Sequence, residues 1–306
     1  MKKICVIGSI NMDLVTCVNE FPRPGETVCG FEFKTHFGGK GANQAVALGK
    51  LGADVLMVGK LGNDSYADEY EANFKNNGVN MLVSRENDIS TGIAVIQLNQ
   101  AAQNSIVVVP GANDKVDISY IDSILPKISE YDIFLFQLEI PMKTVAYAVN
   151  YLSSMGKTII LDPAPAKVLP DELLAKIDYI TPNETELETI SGIKVNGEED
   201  LKKAAQKLLD AGVKCIIAKA GNSGAYLINK TEFIHVLPYA VNAIDTTAAG
   251  DSFNAGFAYA IACDMSPASA AKWGNAVGGL ATEGIGAQSA MPEYEKAKKV
   301  IGDDIL

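Results

Sequence analysis

Short, nearly continuous apolar runs alternate with longer segments whose apolar positions recur every three or four residues through most of this chain. The runs Lys3–Gly8, Ala53–Gly59, Ile133–Gln137, Thr158–Leu161, Tyr179–Thr181 and Cys215–Ala218 predict strands. Ala42–Leu51, Ala67–Asn76, Thr144–Met155 and Glu198–Ala211 carry helical spacing between them. Strands that are apolar on both faces, alternating with helices, predict an α/β fold with a mostly parallel central sheet covered by helices on both sides. Two Ala-rich apolar helices, Gly250–Cys263 and Pro267–Thr282, follow, then an amphipathic segment from Pro292.

Two stretches break the alternation. Leu14–Phe37 holds VTCV, the turn-rich PRPGE and TVCGFEFKTHF, and Thr91–Val109 holds TGIAVIQL, the polar NQAAQN and SIVVV. Neither has room for a crossover helix, so both predict a small antiparallel sheet projecting from the main body. So thin a sheet cannot cover both its faces and must pack on the active site or on a second subunit. No internal repeat or low-complexity linker divides the sequence. Residues 1–306 are therefore expected to form one α/β domain, with these lid segments, about 14–37 and 91–109, inside it.

Composition narrows the function. Thirty-seven acidic against 26 basic residues leave a net charge of −11, with no Lys/Arg run, which argues against a nucleic-acid partner. Any site for an anionic nucleotide must then be local, built from backbone N–H groups, helix N-termini and a few lysines. Five scattered cysteines without CxxC spacing argue against a disulfide framework and a zinc site. The opening MKKICVIGS is a first strand rather than a signal peptide, because Gly8, Asn11 and Asp13 cut its apolar run. No stretch approaches the roughly 18 apolar residues of a membrane span, and a cytoplasmic location is expected.

Two nucleotide decoys fail on context. VIGSINMD is not GxGxxG, and MGKT at Met155–Thr158 has Tyr151 where a P-loop needs its first glycine and precedes a strand instead of following one. The strongest local signal is AIDTTAAGDSFNAGF, Ala243–Phe257. Small side chains at Ala248, Ala249 and Gly250 leave N–H groups bare at the positive end of a helix, suiting a phosphate or a developing phosphoryl anion. Asp251 in that first turn also fits a plain helix cap. FGGKGANQA, Phe37–Ala45, sets a glycine loop before a helix with Lys40 and Asn43 as donors, or is a tight turn and helix start. Asn11 and Asp13 follow the first strand, where open α/β sheets bind ligands, though an Asn/Asp pair also forms turns. QLEIP and TPNETE likewise end strands, and capping alone accounts for the second.

GSINMD, FGGKGANQA, QLEIP, DPAPA, TPNETE, AKAGNSG, DTTAAGDSFNAGF and the late GAQ before MP occur in the order shown by the ribokinase family of carbohydrate kinases, which this chain resembles from end to end. GGKGANQA with AAGD is closer to the family's ribose kinases than to fructokinase-like relatives, whose loops more often read GGAPAN and GAGD. The resemblance implies ATP-dependent phosphorylation of the primary 5-hydroxyl of D-ribose. Asp251 would be the base, and Ala248, Ala249 and Gly250 the anion hole. The sugar would lie on Asn11, Met12, Asp13, Gly39, Lys40, Gly41, Ala42, Asn43, Glu139 and Asp251. ATP would lie along Asn183, Lys219, Ala220, Gly221, Asn222, Ser223, Gly224, Gly250, Asp251 and Asn275. Mg2+ would be held through water near Asn183 and Glu186. K+ would sit on Asp245, Thr247, Ala281, Gly284, Gly286 and the position of Ala290. The lid would carry a homodimer contact.

Two departures from the family pattern stand out: Lys219 replaces a common Thr, and Ala290 a common Ser. His36 and His235 match no catalytic position, and Trp273 fits packing. A kinase for deoxyribose, another sugar or a nucleoside is the alternative within this chemistry. A silent sugar-binding regulator is the alternative outside it, but it would not need Asp251.

Overall fold

The computed structural model describes residues 1–101 and 103–302. Ala102, in the loop of the expected lid hairpin, and residues 303–306 of the expected domain lie outside the described residues. Strands are β1 (Ile4–Ile7), β2 (Asn11–Cys17), β3 (Glu32–Gly38), β4 (Val55–Gly62), β5 (Asn80–Glu86), β6 (Gly92–Leu98), β7 (Asn104–Val109), β8 (Ile133–Phe136), β9 (Thr158–Leu161), β10 (Tyr179–Ile180), β11 (Cys215–Lys219), β12 (Ala225–Asn229) and β13 (Phe233–Val236). Helices are α1 (Lys40–Lys50), α2 (Ser65–Asn76), α3 (Ile118–Ile128), α4 (Met142–Ser154), α5 (Asp171–Leu174), α6 (Glu184–Ser191), α7 (Glu198–Asp210), α8 (Ala249–Ala262), α9 (Pro267–Ala281) and α10 (Tyr294–Ile301).

In the main sheet β5, β4, β1, β8, β9, β10 and β11 lie side by side and parallel, and β12 and β13 extend it as an antiparallel hairpin. Alternate residues of each strand feed opposite faces. Ile4, Val6, Ile133 and Leu135 join one core with residues of α1, α2, α8 and α9, while Cys5, Ile7, Phe134 and Phe136 join the other with residues of α3, α4 and α7. That double burial is why these strands read as unbroken apolar runs. The polar edge strand β5, the β12–β13 hairpin and α3 escaped the pattern reading.

α8 and α9 pack closely because small residues face each other. A Cβ on Gly256 would lie 2.7 Å from the Trp273 carbonyl oxygen. Trp273 is fully buried and stacks on Tyr294, the packing role its sequence context suggested. No helix of the described residues is long and apolar enough to cross a membrane.

The lid is a second sheet in the order β3-β2-β6-β7. Its two outer pairings are antiparallel, as expected, but the central β2–β6 pair is parallel, from Asn11 opposite Gly92 to Cys17 opposite Leu98. β2 and β6 follow the carboxyl ends of β1 and β5, two strands of the parallel sheet, so they leave the body in the same direction. β2 also starts at Asn11, not Leu14, which puts Asn11 and Asp13 inside a lid strand. The lid leaves apolar side chains open on both faces, Phe33, Val95, Val107 and Val109 on one and Ile106 and Val108 on the other. Phe31, Phe33, Val95 and all of Ile106–Val109 are exposed, whereas Val28 and Ile93 are half-buried.

Candidate active site

The carboxyl ends of β1, β8, β9, β10 and β11 point at one cleft, with the first turns of α1 and α8 across it. α1 begins at Lys40 rather than Ala42, so Lys40, Gly41, Ala42 and Asn43 form its first turn. Glu139, just past β8, sets that turn: its Oε2 accepts from the Lys40 N–H at 3.0 Å and from Ser9 Oγ at 2.5 Å. Gly39 is left-handed at φ +82°, and a Cβ there would lie 2.6 Å from the Asn11 nitrogen. The glycine loop thus serves close approach to the β1–β2 turn as well as any ligand.

Asn11 and Asp13 project from one side of β2 toward the loop. Asn113 Nδ2 donates to Asn11 Oδ1 at 2.7 Å and fixes its amide. Met12, between them, faces the other way and is buried in the core, as is Ala42, so neither presents its side chain as a sugar contact. Burial pushes the Asp13 carboxyl up to about 7, and nearby Glu139 and Asp251 add to the shift.

Asp251 sits in the first turn of α8, almost fully buried. Asn43 Nδ2 donates to its Oδ2 at 2.9 Å and Gln44 Nε2 to its Oδ1 at 3.0 Å. Burial raises its proton affinity, opposed by Lys40 and reinforced by Asp162, with the Asn43 and Gln44 bonds favouring the ionised form. Burial would weaken the Lys40 ammonium, but Asp251, Asp162, Glu139 and Glu186 outweigh that and strengthen it. Asp251 does not cap α8, since Ala248 takes the N-cap position in a left-handed conformation. Ala249 N–H donates to the Thr246 carbonyl oxygen at 3.2 Å, so it is already engaged. Among the described residues the Ala248, Gly250 and Asp251 N–H groups find no acceptor, so Ala249 is the one member of the expected anion hole already engaged, and the Asp251 N–H stands free beside the other two.

Across the cleft Asn183 and Glu186 form the capping box that TPNETE suggested. Glu186 N–H donates to Asn183 Oδ1, and Asn183 N–H and Nδ2 donate back to the Glu186 carboxylate. Burial raises the Glu186 carboxyl, and Lys219 opposes the shift. Lys219 ends β11, and its Nζ lies 3.0 Å from Asp162 Oδ1 and 3.9 Å from Glu186 Oε2. After it, Ala220–Gly224 make a tight turn closed by Ala220 N–H on the Gly224 carbonyl oxygen, with Asn222 and Ser223 exposed. Asn275 spends its Nδ2 on the Val236 and Leu237 carbonyl oxygens at 2.9 and 3.0 Å, leaving only Oδ1 to offer a ligand. The cleft, about 490 Å³, is lined by Lys40, Asp162, Asn183, Glu186, Lys219, Gly250 and Asp251 among others. A larger cleft of about 600 Å³ lies at the opposite, amino ends of β9–β11, away from these groups.

Beside α8, Asp245 Oδ1 accepts from the Thr247 N–H and hydroxyl, and its Oδ2 from the Gly286 N–H. Partial burial pushes the Asp245 carboxyl up, but these bonds outweigh it and hold the group below its usual range. Gly284 packs against Ala290, while Ala281 is buried at the end of α9. His36 of the lid approaches Gly286, and His235 stacks on Tyr226, so neither reaches Asp251 by any recorded bond.

Four site residues had no role in the sequence reading: Gln44, Gln137, Asp162 and Gln288. Gln288 Nε2 donates to Asn43 Oδ1 at 3.0 Å, while Asn73 Nδ2 holds its Oε1 at 2.7 Å. Each lies inside a quoted motif; for Gln44, Gln137 and Asp162 the usable signal was a polar residue just past an apolar strand or on the apolar face of a helix, whereas Gln288 lies in the loop after α9.

The pfkB family carbohydrate kinase pattern matches residues 1–294. The chain is similar to the ribokinase of Haemophilus influenzae, 38% identical over 96% of this chain and 97% of that one. It is also similar to the deoxyribokinase of Salmonella typhi, 36% identical over 96% of each chain. The structure of Arabidopsis thaliana ribokinase complexed with ribose and ATP superposes with a TM-score of 0.92 at 33% identity, covering 98% of both chains. With the fold, the order of the motifs and these near-full-length similarities in agreement, the chain belongs to the pfkB family of carbohydrate kinases.

Proposed function

We propose that this single-domain enzyme transfers the γ-phosphoryl group of ATP to the 5-hydroxyl of D-ribose, giving ribose 5-phosphate and ADP. The observation that carries the reading is Asp251: a buried carboxylate, oriented by two amides, beside N–H groups without acceptors at a helix N-terminus. The hydroxyl oxygen attacks the γ-phosphorus as its proton passes to Asp251, and the bond to the bridging oxygen of ADP breaks. Gly250 and Asp251 N–H groups receive the charge that spreads over the phosphoryl oxygens. Asn11, Asp13, Lys40, Asn43 and Glu139 would orient the sugar. Asn183, Lys219 and the 220–224 turn would orient the nucleotide. The lid would exclude water that could otherwise take the phosphoryl group.

Asn183 and Glu186 already satisfy each other, so they suit contact with Mg2+ through water. Mg2+ bound to the nucleotide would neutralise charge on its phosphates. The Asp245 loop suits K+: an ionised carboxylate balances charge, and carbonyls of Thr247, Ala281, Gly284 and Gly286 would supply oxygen ligands. Ala290 offers no hydroxyl, which leaves one ligand to water. The five free thiols suit a reducing, cytoplasmic setting. The exposed apolar side chains of the lid suit a second copy of the chain, giving a homodimer. The similarity to a deoxyribokinase favours 2-deoxyribose as the second reading.

ADP release should be fastest, by kcat/KM, with ribose in a panel including 2-deoxyribose, fructose and adenosine, and faster in K+ than in Na+ at equal ionic strength. Equal turnover of ribose and 2-deoxyribose would overturn the ribose assignment, and indifference to K+ the cation site.

Asp251→Asn should lower kcat by about 10²–10⁴-fold while sugar and ATP still bind. A loss below tenfold in a folded variant would make Asp251 a structural residue.

Asp13 accepts sugar hydroxyls best when ionised, and its carboxyl titrates near 7 in the empty site. Sugar affinity should therefore fall about tenfold from pH 8 to pH 6, as the carboxylate takes up a proton. Calorimetric titration should find this slope in the wild type and a flat profile in Asp13→Asn.

Sedimentation at micromolar concentration should give the dimer mass, reduced to the monomer by Val107→Glu in the lid. A monomeric wild type would remove the lid interface.

A further inference from the structure

Gln44 is fully buried on α1, and both its amide protons and its carbonyl oxygen are engaged. Its Nε2 donates one proton to Asp251 Oδ1 at 3.0 Å and the other to Asp162 Oδ2 at 2.9 Å. Its Oε1 accepts from Gln137 Nε2 at 2.6 Å. The amide cannot turn over without setting its oxygen against two carboxylates. Asp162, also buried, gives its other oxygen to the Lys219 ammonium at 3.0 Å. Lys219 starts the nucleotide turn, and its Nζ would lie 3.6 Å from a Cβ on Gly250. A continuous chain of polar contacts thus runs from the nucleotide side of the cleft to the base.

We propose that Gln44 and Asp162 are positioning residues, a buried relay that ties Lys219 of the nucleotide turn to the carboxylate of Asp251. The inference rests on Asp251 acting as the base. Asn43 and Gln44 each hold one oxygen, which fixes the carboxylate plane and leaves lone pairs for the sugar hydroxyl. The two protons of one amide nitrogen bridge the two carboxylates, which an ionised Glu, an acceptor only, cannot do, so Gln and not Glu suits position 44. Charge also passes along the chain. Asp162 is a second buried anion near the base, and Lys219 offsets it. Phosphate entering beside Gly250 would share that ammonium, leaving Asp162 to strengthen the hold of Asp251 on the transferred proton. The other charged groups facing Asp251 are Lys40 from α1 and Asp13 from β2, with Glu186 of α6 acting on Lys40.

The test is the pH dependence of kcat at saturating substrates, with KM for each substrate, in wild type, Gln44→Met, Asp162→Asn and Asp251→Asn. Losing a hydrogen bond to a charged group should lower kcat of Gln44→Met by about 10–100-fold with KM values within about threefold. Its acid limb should move to higher pH, because the ionised base has lost a donor. The acid limb of Asp162→Asn should move to lower pH, because the base has lost a negative neighbour. A packing role would lower stability without moving the two limbs in opposite directions. If Gln44→Met does not fold, the isosteric Asp162→Asn carries the test by itself. Limbs that stay fixed or move together overturn the relay. If Asp251→Asn keeps its rate within tenfold, the base assignment has failed, a result distinct from failure of the relay alone.

Discussion

The Lys40 ammonium stands among the carboxylates of Asp251, Asp162, Glu139 and Glu186, and this concentration of buried negative charge around one cation governs the site. Like charges this close are tolerated only when a cation and oriented donors offset their desolvation. Much of the surrounding structure supplies them. Glu139 is absorbed into the first turn of α1, Asp251 takes two amides, Glu186 closes a capping box and Asp162 pairs with Lys219. Among the described residues no cation is bonded to Asp13, and its carboxyl is raised, as those of Asp251 and Glu186 are.

This arrangement also reconciles an acidic protein with an anionic substrate. The net charge of −11 would repel a nucleotide, yet the cleft presents Lys40, Lys219 and the N-terminal turn of α8. Local donors outweigh distant charge because screening removes interactions beyond about 10 Å at ordinary ionic strength. Asn11 and Asp13 lie on β2, so the lid strand itself carries the polar groups proposed for the sugar.

Capping and ligand chemistry draw on the same residue types, and their sequence signals overlap accordingly. TPNETE read as a cap and is one, while Asp251, equally plausible as a cap, is not, because Ala248 holds that place. The glycine loop read as a cradle for a ligand, yet Gly39 is required by the backbone of the neighbouring turn. A motif gives residue types in order, and both uses need the same types.

The apolar runs by themselves determined the parallel sheet and its two layers of helices, because burial on both faces leaves a strand no polar positions. The ordered motifs determined the family and brought Asp251, Asn43, Lys40 and Asn183 into consideration. Only the tertiary structure decided that β2 and β6 run parallel, that Met12 and Ala42 turn into the core, and that Ala249 is engaged within its own turn. It alone joined Gln44, Asp162 and Lys219, which stand 118 and 57 residues apart in succession along the chain. Periodicity records which face of an element is buried, but a hydrogen bond between distant elements depends on their relative placement, and that is fixed only when the helices dock on the sheet.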